Sequence, residues 1–394
     1  MKIKKLNEEK GVVLVLALLF LVVATLIGIN AISTATYDVC ISGNKRISEQ
    51  AFYVAEAGIN ETLGRFRKGA TGEINDTAPS NPDWRLFLAF NTERANKIGY
   101  SSGNSNYVFI QSLQNRLDFA VEVRHKVNIA NNVITKGGPP VYIVRSYGFT
   151  QEGGNKSVEV ELNRRPMVDP PAALYSEMPI NINGSSTYIQ GNDQCGTKNK
   201  PGITTTLSAT DPEAVTVYGS PEIIGDPPIN YDAQNLPLKE VVEYLKNDAN
   251  FKYYFNGNQT LTGYSDGWGI PTNTGTTTAL TYTGPMNIVY FKMDGNTTLK
   301  LAGGSHGGGL LLVDGNLELN GGFTWYGVII VTGALDYTGG GQKNVTGGIL
   351  TGEATTVEVD VGGNAGIIYC SEVGDKLKDV VSPNRITSWR EILK

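Results

Sequence analysis

The stretch GVVLVLALLFLVVATLIGINAIST, residues 11–34, decides how this chain is organised. Residues 12–29 form an uninterrupted apolar core, and about 18 to 20 such residues are enough for a helix to cross a bilayer. Four lysines precede the core within residues 1–10, so we expect a single pass with the N-terminus in the cytoplasm. A secretory signal peptide is the alternative, but Ala-Ile-Ser at 31–33 is a poor cleavage site.

The helical pattern continues beyond the membrane through residues 38–68, which contain no proline. Small residues recur on one side of this helix at spacings of four and three, at Ala51, Ala55 and Gly58. A continuous helix over residues 12–66 would be about 80 Å long at roughly 1.5 Å per residue. Its outer half is amphipathic and needs a surface to pack against. A plain membrane stalk fits this pattern, and so does the spine of a filament subunit.

Two segments of this region are similar to a known family: EEKGVVLVLALLFLVVATLIGINAIST at 8–34 and ISGNKRISEQAFYVAEAGI at 41–59. They resemble the N-terminus of PilX-type minor pilins of type IV pili. The resemblance implies that prepilin peptidase cleaves between Gly11 and Val12, so that residues 1–11 are a leader peptide. It also implies a bacterial inner-membrane location, outer domains in the periplasm or at the cell surface, and other pilins and minor pilins as partners. The residues expected to pack in the filament are Leu16, Ala51, Ala55, Glu56 and Gly58.

One position departs from the pattern of major pilins. They carry Glu at the fifth mature position, where this chain has Leu16. The resemblance implies that this Glu pairs with the N-terminal amine of a neighbouring subunit. The chain is therefore similar to the Glu-lacking minor pilins and pseudopilins that lie at a filament tip.

Residues 67–165 predict an antiparallel, pilin-like sheet. Apolar and polar residues alternate over 117–129, which is the period of a half-buried strand. Further strands are predicted at 141–149 and 158–162, and a short helical patch is predicted around 84–90. The sheet would cover the amphipathic outer half of the helix.

Residues 166–394 predict a parallel β-solenoid. Glycines recur about every 20 residues, each after an apolar run, at Gly295, Gly315, Gly333 and Gly352. We read 226–287 as an insertion packed on the side of the solenoid. AALYSEMPINING at 172–184, among other phrases, resembles the domain found behind PilX-type N-termini in larger pilus assembly proteins. The predicted fold class is α+β: a long N-terminal pilin helix (12–66), an antiparallel pilin-like sheet and a C-terminal parallel β-solenoid.

Composition argues against several kinds of function. With 33 Lys+Arg, 38 Asp+Glu and a net charge of −5, the chain lacks the basic excess of a nucleic-acid binder. Its two histidines and three cysteines form no zinc motif. His125 lies on the apolar phase of a predicted strand, so we expect a hydrogen-bonded core residue rather than a ligand.

Two features invite a catalytic interpretation. The repeat predicts that Asp294 and Asp314 occupy equivalent positions of successive coils, about 5 Å apart, which suits calcium or a shared proton. Turn formation by Asp-Gly-Asn explains them more simply. Residues 303–307 match the G-x-S-x-G pattern of a nucleophile elbow, but a strand follows the serine where that motif needs a helix. We expect no enzymatic activity, no cofactor and no metal.

Three functions therefore stay open. The first is a minor pilin that acts in pilus assembly or initiation, or at the tip, with a surface or glycan ligand for the solenoid. The second is a type II secretion pseudopilin of the Glu-lacking tip class. The third is a membrane-anchored β-helix protein that binds or cleaves polysaccharide.

The cysteines predict one disulfide. Cys195 and Cys370 both fall in the solenoid half, within phrases shared with the similar domain, whereas Cys40 lies in the helix. Outside the cytoplasm disulfides persist, so we pair Cys195 with Cys370. The competing interpretation is that all three are buried free thiols.

Overall fold

The computed structural model describes residues 6–66, 70–102, 106–110, 117–164, 168–272, 275–352, 358–381 and 384–392. It begins with one helix, α1 (Leu6–Arg65), which is continuous for 60 residues and confirms the predicted long helix. At roughly 1.5 Å per residue, α1 is about 90 Å long. Its most apolar window of 18 residues has a mean hydropathy of 3.2 and no buried residue. This is the length and composition of a membrane span, although a signal sequence has the same properties.

A six-stranded sheet covers the outer half of α1. Five of its strands follow the helix in sequence: β1 (Arg85–Ala89), β2 (Asn106–Phe109), β3 (Asp118–His125), β4 (Val141–Phe149) and β5 (Asn155–Asn163). A short helix, α2 (Thr92–Lys97), lies between β1 and β2. The strand order is β2-β1-β3-β4-β5, antiparallel throughout except for the parallel pair β1 and β2. The helix predicted around 84–90 is wrong, because that segment pairs with β3 and buries Leu86, Phe87 and Leu88 as a strand.

The solenoid begins with two short coils. Their strands are β6 (Leu174–Ser176), β7 (Ile180–Asn183), β8 (Tyr188–Gln190), β9 (Ile203–Thr205), β10 (Val215–Tyr218), β11 (Glu222–Ile224) and β12 (Ile229–Asn230). A helix, α3 (Leu238–Leu245), follows them.

The longer coils come next in the chain. Their strands are β13 (Phe251–Phe255), β14 (Gln259–Thr262), β15 (Asn287–Met293), β16 (Thr298–Ala302), β17 (His306–Asp314), β18 (Asn316–Leu319), β19 (Thr324–Val331), β20 (Leu335–Tyr337), β21 (Lys343–Thr351), β22 (Val359–Val361) and β23 (Ala365–Tyr369). A helix, α4 (Ser371–Val380), ends this part. All neighbouring strands of the solenoid are parallel, as predicted.

The order of the coils in space differs from their order in the chain. The coil of β6, β7 and β8 pairs with the last coil, at β21, β22 and β23. The coil of β9 to β11 stacks outside it and, with β12 paired to β9, forms one end of the solenoid. The chain then passes through α3 to the opposite end and returns coil by coil from β13. The last coil thus meets the first in the middle of the stack.

Two predicted boundaries need correction. Part of the expected insertion, 226–287, belongs to the solenoid, because β13 and β14 pair with β15 and β16 as its terminal coil. The solenoid also does not extend to residue 394. The last strand, β24 (Arg385–Ile392), returns to the six-stranded sheet and pairs antiparallel with β5. In both cases the position of the strand depends on the surface it covers: β13 and β14 cover the apolar layer of the next coil, and β24 completes an edge of the six-stranded sheet. Proximity in sequence does not decide either position.

Apolar side chains fill the solenoid in two places. The interior holds stacked rows such as Leu299, Leu317 and Leu335, all buried. The solenoid has an 11-stranded sheet, which includes β13, β15, β17, β19, β21 and β23, and the outer surface of this sheet carries a second apolar layer. The helices α3 and α4 cover that layer with Leu238 and Leu377 among others. The helices therefore seal a sheet face that would otherwise lie in water.

Candidate functional site: the helix–sheet contact and the solenoid junction

The outer half of α1 lies on its sheet at very short range. Ala51 and Ala55 are fully buried, and a Cβ atom added to Gly58 would lie 2.2 Å from the Ser146 hydroxyl. On the sheet side, a Cβ added to Gly148 would lie 2.0 Å from the Ala51 carbonyl oxygen. Both surfaces therefore need small residues where they touch.

This contact corrects part of the filament-packing prediction. The stripe of Ala51, Ala55 and Gly58 faces the chain's own sheet, so its small residues are explained by contact within one subunit. Glu56 is only partly buried, and Leu16 is 50 % exposed. Of the predicted packing residues, these two are the ones whose side chains a neighbouring molecule can reach.

The predicted cleavage point lies in the exposed half of the helix. The bond between Gly11 and Val12 is inside α1, which begins at Leu6, and the Val12 side chain is 61 % exposed. Residues 12–27, which follow this bond, are all exposed.

A buried polar cluster lies beneath the end of α1. The Asp76 Oδ2 atom accepts hydrogen bonds from the Tyr142 hydroxyl at 2.7 Å and from His125 Nε2 at 2.8 Å. His125 Nδ1 is 2.7 Å from the Asn81 carbonyl oxygen, and Trp84 stacks on the ring at 4.9 Å. Both ring nitrogens of His125 thus lie within hydrogen-bond distance of an oxygen atom, so neither is left without a partner.

The electrostatics of Asp76 agree with an ionised carboxylate. Burial would raise the pKa of Asp76, but hydrogen bonds from His125, Tyr142 and the Ala78 amide outweigh burial and hold the pKa below its usual value. Burial and the neighbouring carboxylate raise the pKa of Tyr142, so its hydroxyl stays protonated and donates. His125 is therefore a core residue with satisfied hydrogen bonds. Asp76 carried no sequence signal, since it lies in a loop without periodicity.

The solenoid junction is closed by a disulfide. Cys195, in the loop after β8, is bonded to Cys370, directly after β23, with an S–S distance of 2.07 Å and a Cα–Cα distance of 5.1 Å. These are the two cysteines that the sequence paired, and Cys40 is free and exposed on α1. The bond joins the first coil of the chain to its last coil, where the two meet in space.

Asp193 supports the same junction. Its Oδ1 atom accepts from the backbone amides of Ser371, at 3.0 Å, and Cys195, at 3.1 Å. Burial would raise the pKa of Asp193, but these bonds and one from the Lys198 amide lower it. The carboxylate thus ties the loop to the start of α4.

The structure contradicts the predicted equivalence of Asp294 and Asp314 and agrees with the expectation that the G-x-S-x-G match is no nucleophile elbow. Asp314 lies opposite Lys292 in the ladder, at 2.6 Å from its Nζ atom, and not opposite Asp294. The turn after β15 spans residues 294–297 whereas Gly315 alone follows β17, so the repeat phase slips between the two coils. Ser305 of the G-x-S-x-G match is fully buried and donates to the Ala302 carbonyl oxygen at 2.7 Å, which is a turn contact.

Comparison with known proteins supports the N-terminal assignment. The family model described as PilX N-terminal matches residues 10–60. This match confirms the resemblance to PilX-type N-termini over that segment.

Matches beyond this segment add little. The crystal structure of the competence-associated pilin ComZ from Thermus thermophilus is similar at 13% identity, over 88% of this chain and 98% of that one, with a TM-score of 0.27. That TM-score is too low to establish a shared arrangement of the whole chain. No curated protein matches this chain.

Proposed function

We propose that this chain is a minor pilin-like component of type IV pilus machinery. It acts in pilus assembly or initiation, or at the filament tip, and its solenoid faces outward and serves in surface adhesion. One observation carries the proposal: α1 has an exposed apolar half that continues without a break into a half sealed by the chain's own sheet. The PilX match, over residues 10–60, runs through both halves, and the exposed half is free for the membrane and for other pilin helices.

Leu16 supports a terminal position. An apolar side chain at this exposed place offers no carboxylate to the N-terminal amine of an adjacent subunit, and an unpaired charge in apolar surroundings is costly. The subunit would therefore be scarce in the filament and confined to a tip or an initiating complex.

Processing and position are tested together. Mass spectrometry of protein extracted from membranes should find Val12 as the first residue, and immunogold labelling should mark filament ends. Leu16→Glu should spread the label along filaments, whereas Leu19→Glu, the same charge three residues further, should not. Intact Met1 in the mature protein, or even labelling of unmodified filaments, would contradict the proposal. If deletion of this protein abolishes protein secretion but leaves pili normal, that result would favour the pseudopilin alternative.

A further inference from the structure

The two ends of the solenoid are chemically different. Inward-facing side chains of the middle coils are buried, whereas those of the terminal coils are only partly buried. At the end formed by β9 to β12 the partly buried residues are Val215, Ile223 and Ile229. At the opposite end they are mostly aromatic: Phe251, Tyr253, Phe255, Leu261 and Tyr264. Among the described residues, no further strand pairs beyond β13 and β14, so this aromatic end is open.

Tyr253 presents a ring face at the open end. Its ring stacks on Phe291 of the next coil, with centroids 4.7 Å apart and planes at 18°. Because β13 is the terminal strand, the opposite face of the Tyr253 ring is turned away from the solenoid. An edge-on contact with Tyr264, at 6.2 Å between centroids, fixes a second ring beside it.

A carboxylate is held against these two rings. The exposed Asp266 accepts hydrogen bonds from the Tyr253 hydroxyl at 2.5 Å and the Tyr264 hydroxyl at 3.0 Å, both on Oδ2. Among the described residues Oδ1 receives no such bond, so it is available as an acceptor. The Trp268 indole N–H, at 3.4 Å from the Tyr253 hydroxyl, completes the cluster.

The backbone of Asp266 is also unusual. Its φ of +30° lies in the left-handed region, which non-glycine residues rarely adopt and which costs free energy. The glycine that follows, Gly267, also has a positive φ, so a tight turn aims this carboxylate at the rings. Strain of this kind concentrates at sites that bind ligands.

We propose that the aromatic end of the solenoid, defined by Tyr253, Tyr264 and Asp266, binds a neutral saccharide. The apolar C–H face of a pyranose ring packs on the outer face of Tyr253, and a sugar hydroxyl donates to Asp266 Oδ1. Open aromatic rings with one fixed acceptor suit a ligand that is apolar on its faces and hydroxylated on its rim. The negative charge of Asp266 disfavours acidic sugars. This inference deepens the adhesive part of the proposed function and rests on it only for the statement that a filament displays this end.

The binding test uses the full chain in a detergent without a sugar headgroup, since alkyl glycosides would compete. The probes are cellotriose, chitotriose and maltotriose, followed by saturation-transfer NMR and titration calorimetry. We expect at least one of them to bind, with transfer concentrated on the ring C–H protons. Asp266→Asn should weaken binding at least tenfold without unfolding the turn, because Asn tolerates a positive φ. Tyr218→Ala, at a 59 % exposed tyrosine of the opposite end, is the matched control and should leave affinity unchanged.

Defined results would overturn the inference. Absence of binding to all three trisaccharides would do so, as would equal losses in the Asp266 and Tyr218 variants. Self-association that Asp266→Asn removes, seen by sedimentation without any saccharide signal, would assign this end to a second copy instead. Saccharide binding by a chain that is absent from pili would leave the site standing and remove the pilus role. A chain that labels filament tips but binds no saccharide probe would support the pilus role and remove the saccharide site.

Discussion

The six-stranded sheet buries its apolar face under a helix that precedes it in the chain, whereas the solenoid buries its own face by stacking one coil on the next. In the sheet, a single helix supplies the contact, and the fit depends on a few small residues such as Ala51 and Gly148. In the solenoid, the same contact repeats through several coils, so no one layer decides stability. The solenoid has its critical point at the junction, where the first and last coils of the chain meet.

The largest effect should come from breaking that junction. Replacing both Cys195 and Cys370 with alanine opens a loop of 175 residues, and loop-closure entropy predicts a loss of about 5 kcal/mol in the free energy of unfolding. Hydrogen exchange should rise in β8 and β23 while β4 and β5 keep their protection. Cys40→Ala, at the exposed free cysteine, is the control and should change nothing. Equal stability with and without the disulfide would mean that stacking alone closes the solenoid.

The next effect should come from the helix–sheet contact. In Gly148→Ala the new methyl group would meet the Ala51 carbonyl oxygen at 2.0 Å and the Ala55 amide nitrogen at 2.6 Å, so backbone must move. We expect a loss of about 3 kcal/mol, measured by denaturant unfolding, with exchange rising in β3 to β5 only. Gly64→Ala, on the α1 side of the contact, has open space around its Cβ and should be neutral or stabilise by about 0.5 kcal/mol. Similar behaviour of the two variants would show that the helix does not pack this closely.

Local patterns predicted the parts of the fold that depend on neighbouring residues. Continuity of α1 follows from a long stretch without proline, and the parallel coils follow from apolar runs at a regular spacing. The register shows this directly, since Ile288, Leu310 and Val328 lie opposite one another in successive strands.

Contacts between segments that are distant in sequence could not be predicted from local patterns. In the terminal coil at 251–262, Gly257 follows β13 as Gly295 follows β15, but residues 263–286 separate this coil from the next, which interrupts the spacing of about 20 residues. No local pattern in β24 identifies its partner β5, which lies more than 200 residues earlier. A small-residue stripe on α1 is equally compatible with the chain's own sheet and with a neighbouring subunit. These outcomes depend on which surfaces meet, and sequence periodicity does not encode that.

A third and smaller effect concerns the buried polar cluster of Asp76, His125 and Tyr142, which lies next to the six-stranded sheet. Asp76→Asn removes the charge that faces His125 and should cost about 2 kcal/mol at pH 7, since hydrogen bonds to charged groups contribute that much. The pKa of Asp76 is lowered in the folded state, so its stabilisation is present above the unfolded value of about 3.9 and is lost as pH falls through the folded value. Unfolding measured from pH 7 to pH 2 should show a weaker acid dependence in the variant. Glu93→Gln, at an exposed pair with Lys97, should change the profile much less, because exposed ion pairs contribute little.

The smallest effect should come from the solenoid's outer ladder and should have the opposite sign. Asp360 lies opposite Asp336 in the ladder, and burial, followed by the charges of Asp336 and Glu358, raises the pKa of Asp360. A carboxyl whose folded pKa is raised favours folding while it is protonated, and this contribution is lost as pH rises through the folded value. At pH 7 the ionised group therefore opposes folding, and Asp360→Asn should raise the free energy of unfolding by up to about 1 kcal/mol. The Asn181 amide still finds an oxygen acceptor in the variant.

The ladder variant is best measured by denaturant unfolding at pH 7 and again at pH 4, where the gain should shrink because the native carboxyl takes up a proton. Glu222→Gln, at an exposed residue of β11, removes the same charge from the same solenoid without a facing carboxylate and should give no gain at either pH. A loss of stability in Asp360→Asn at pH 7 would mean that the ladder draws net stabilisation from this carboxylate. The solenoid would then depend on individual side-chain contacts in the way that the helix–sheet contact does, and the contrast between the two regions would be one of degree.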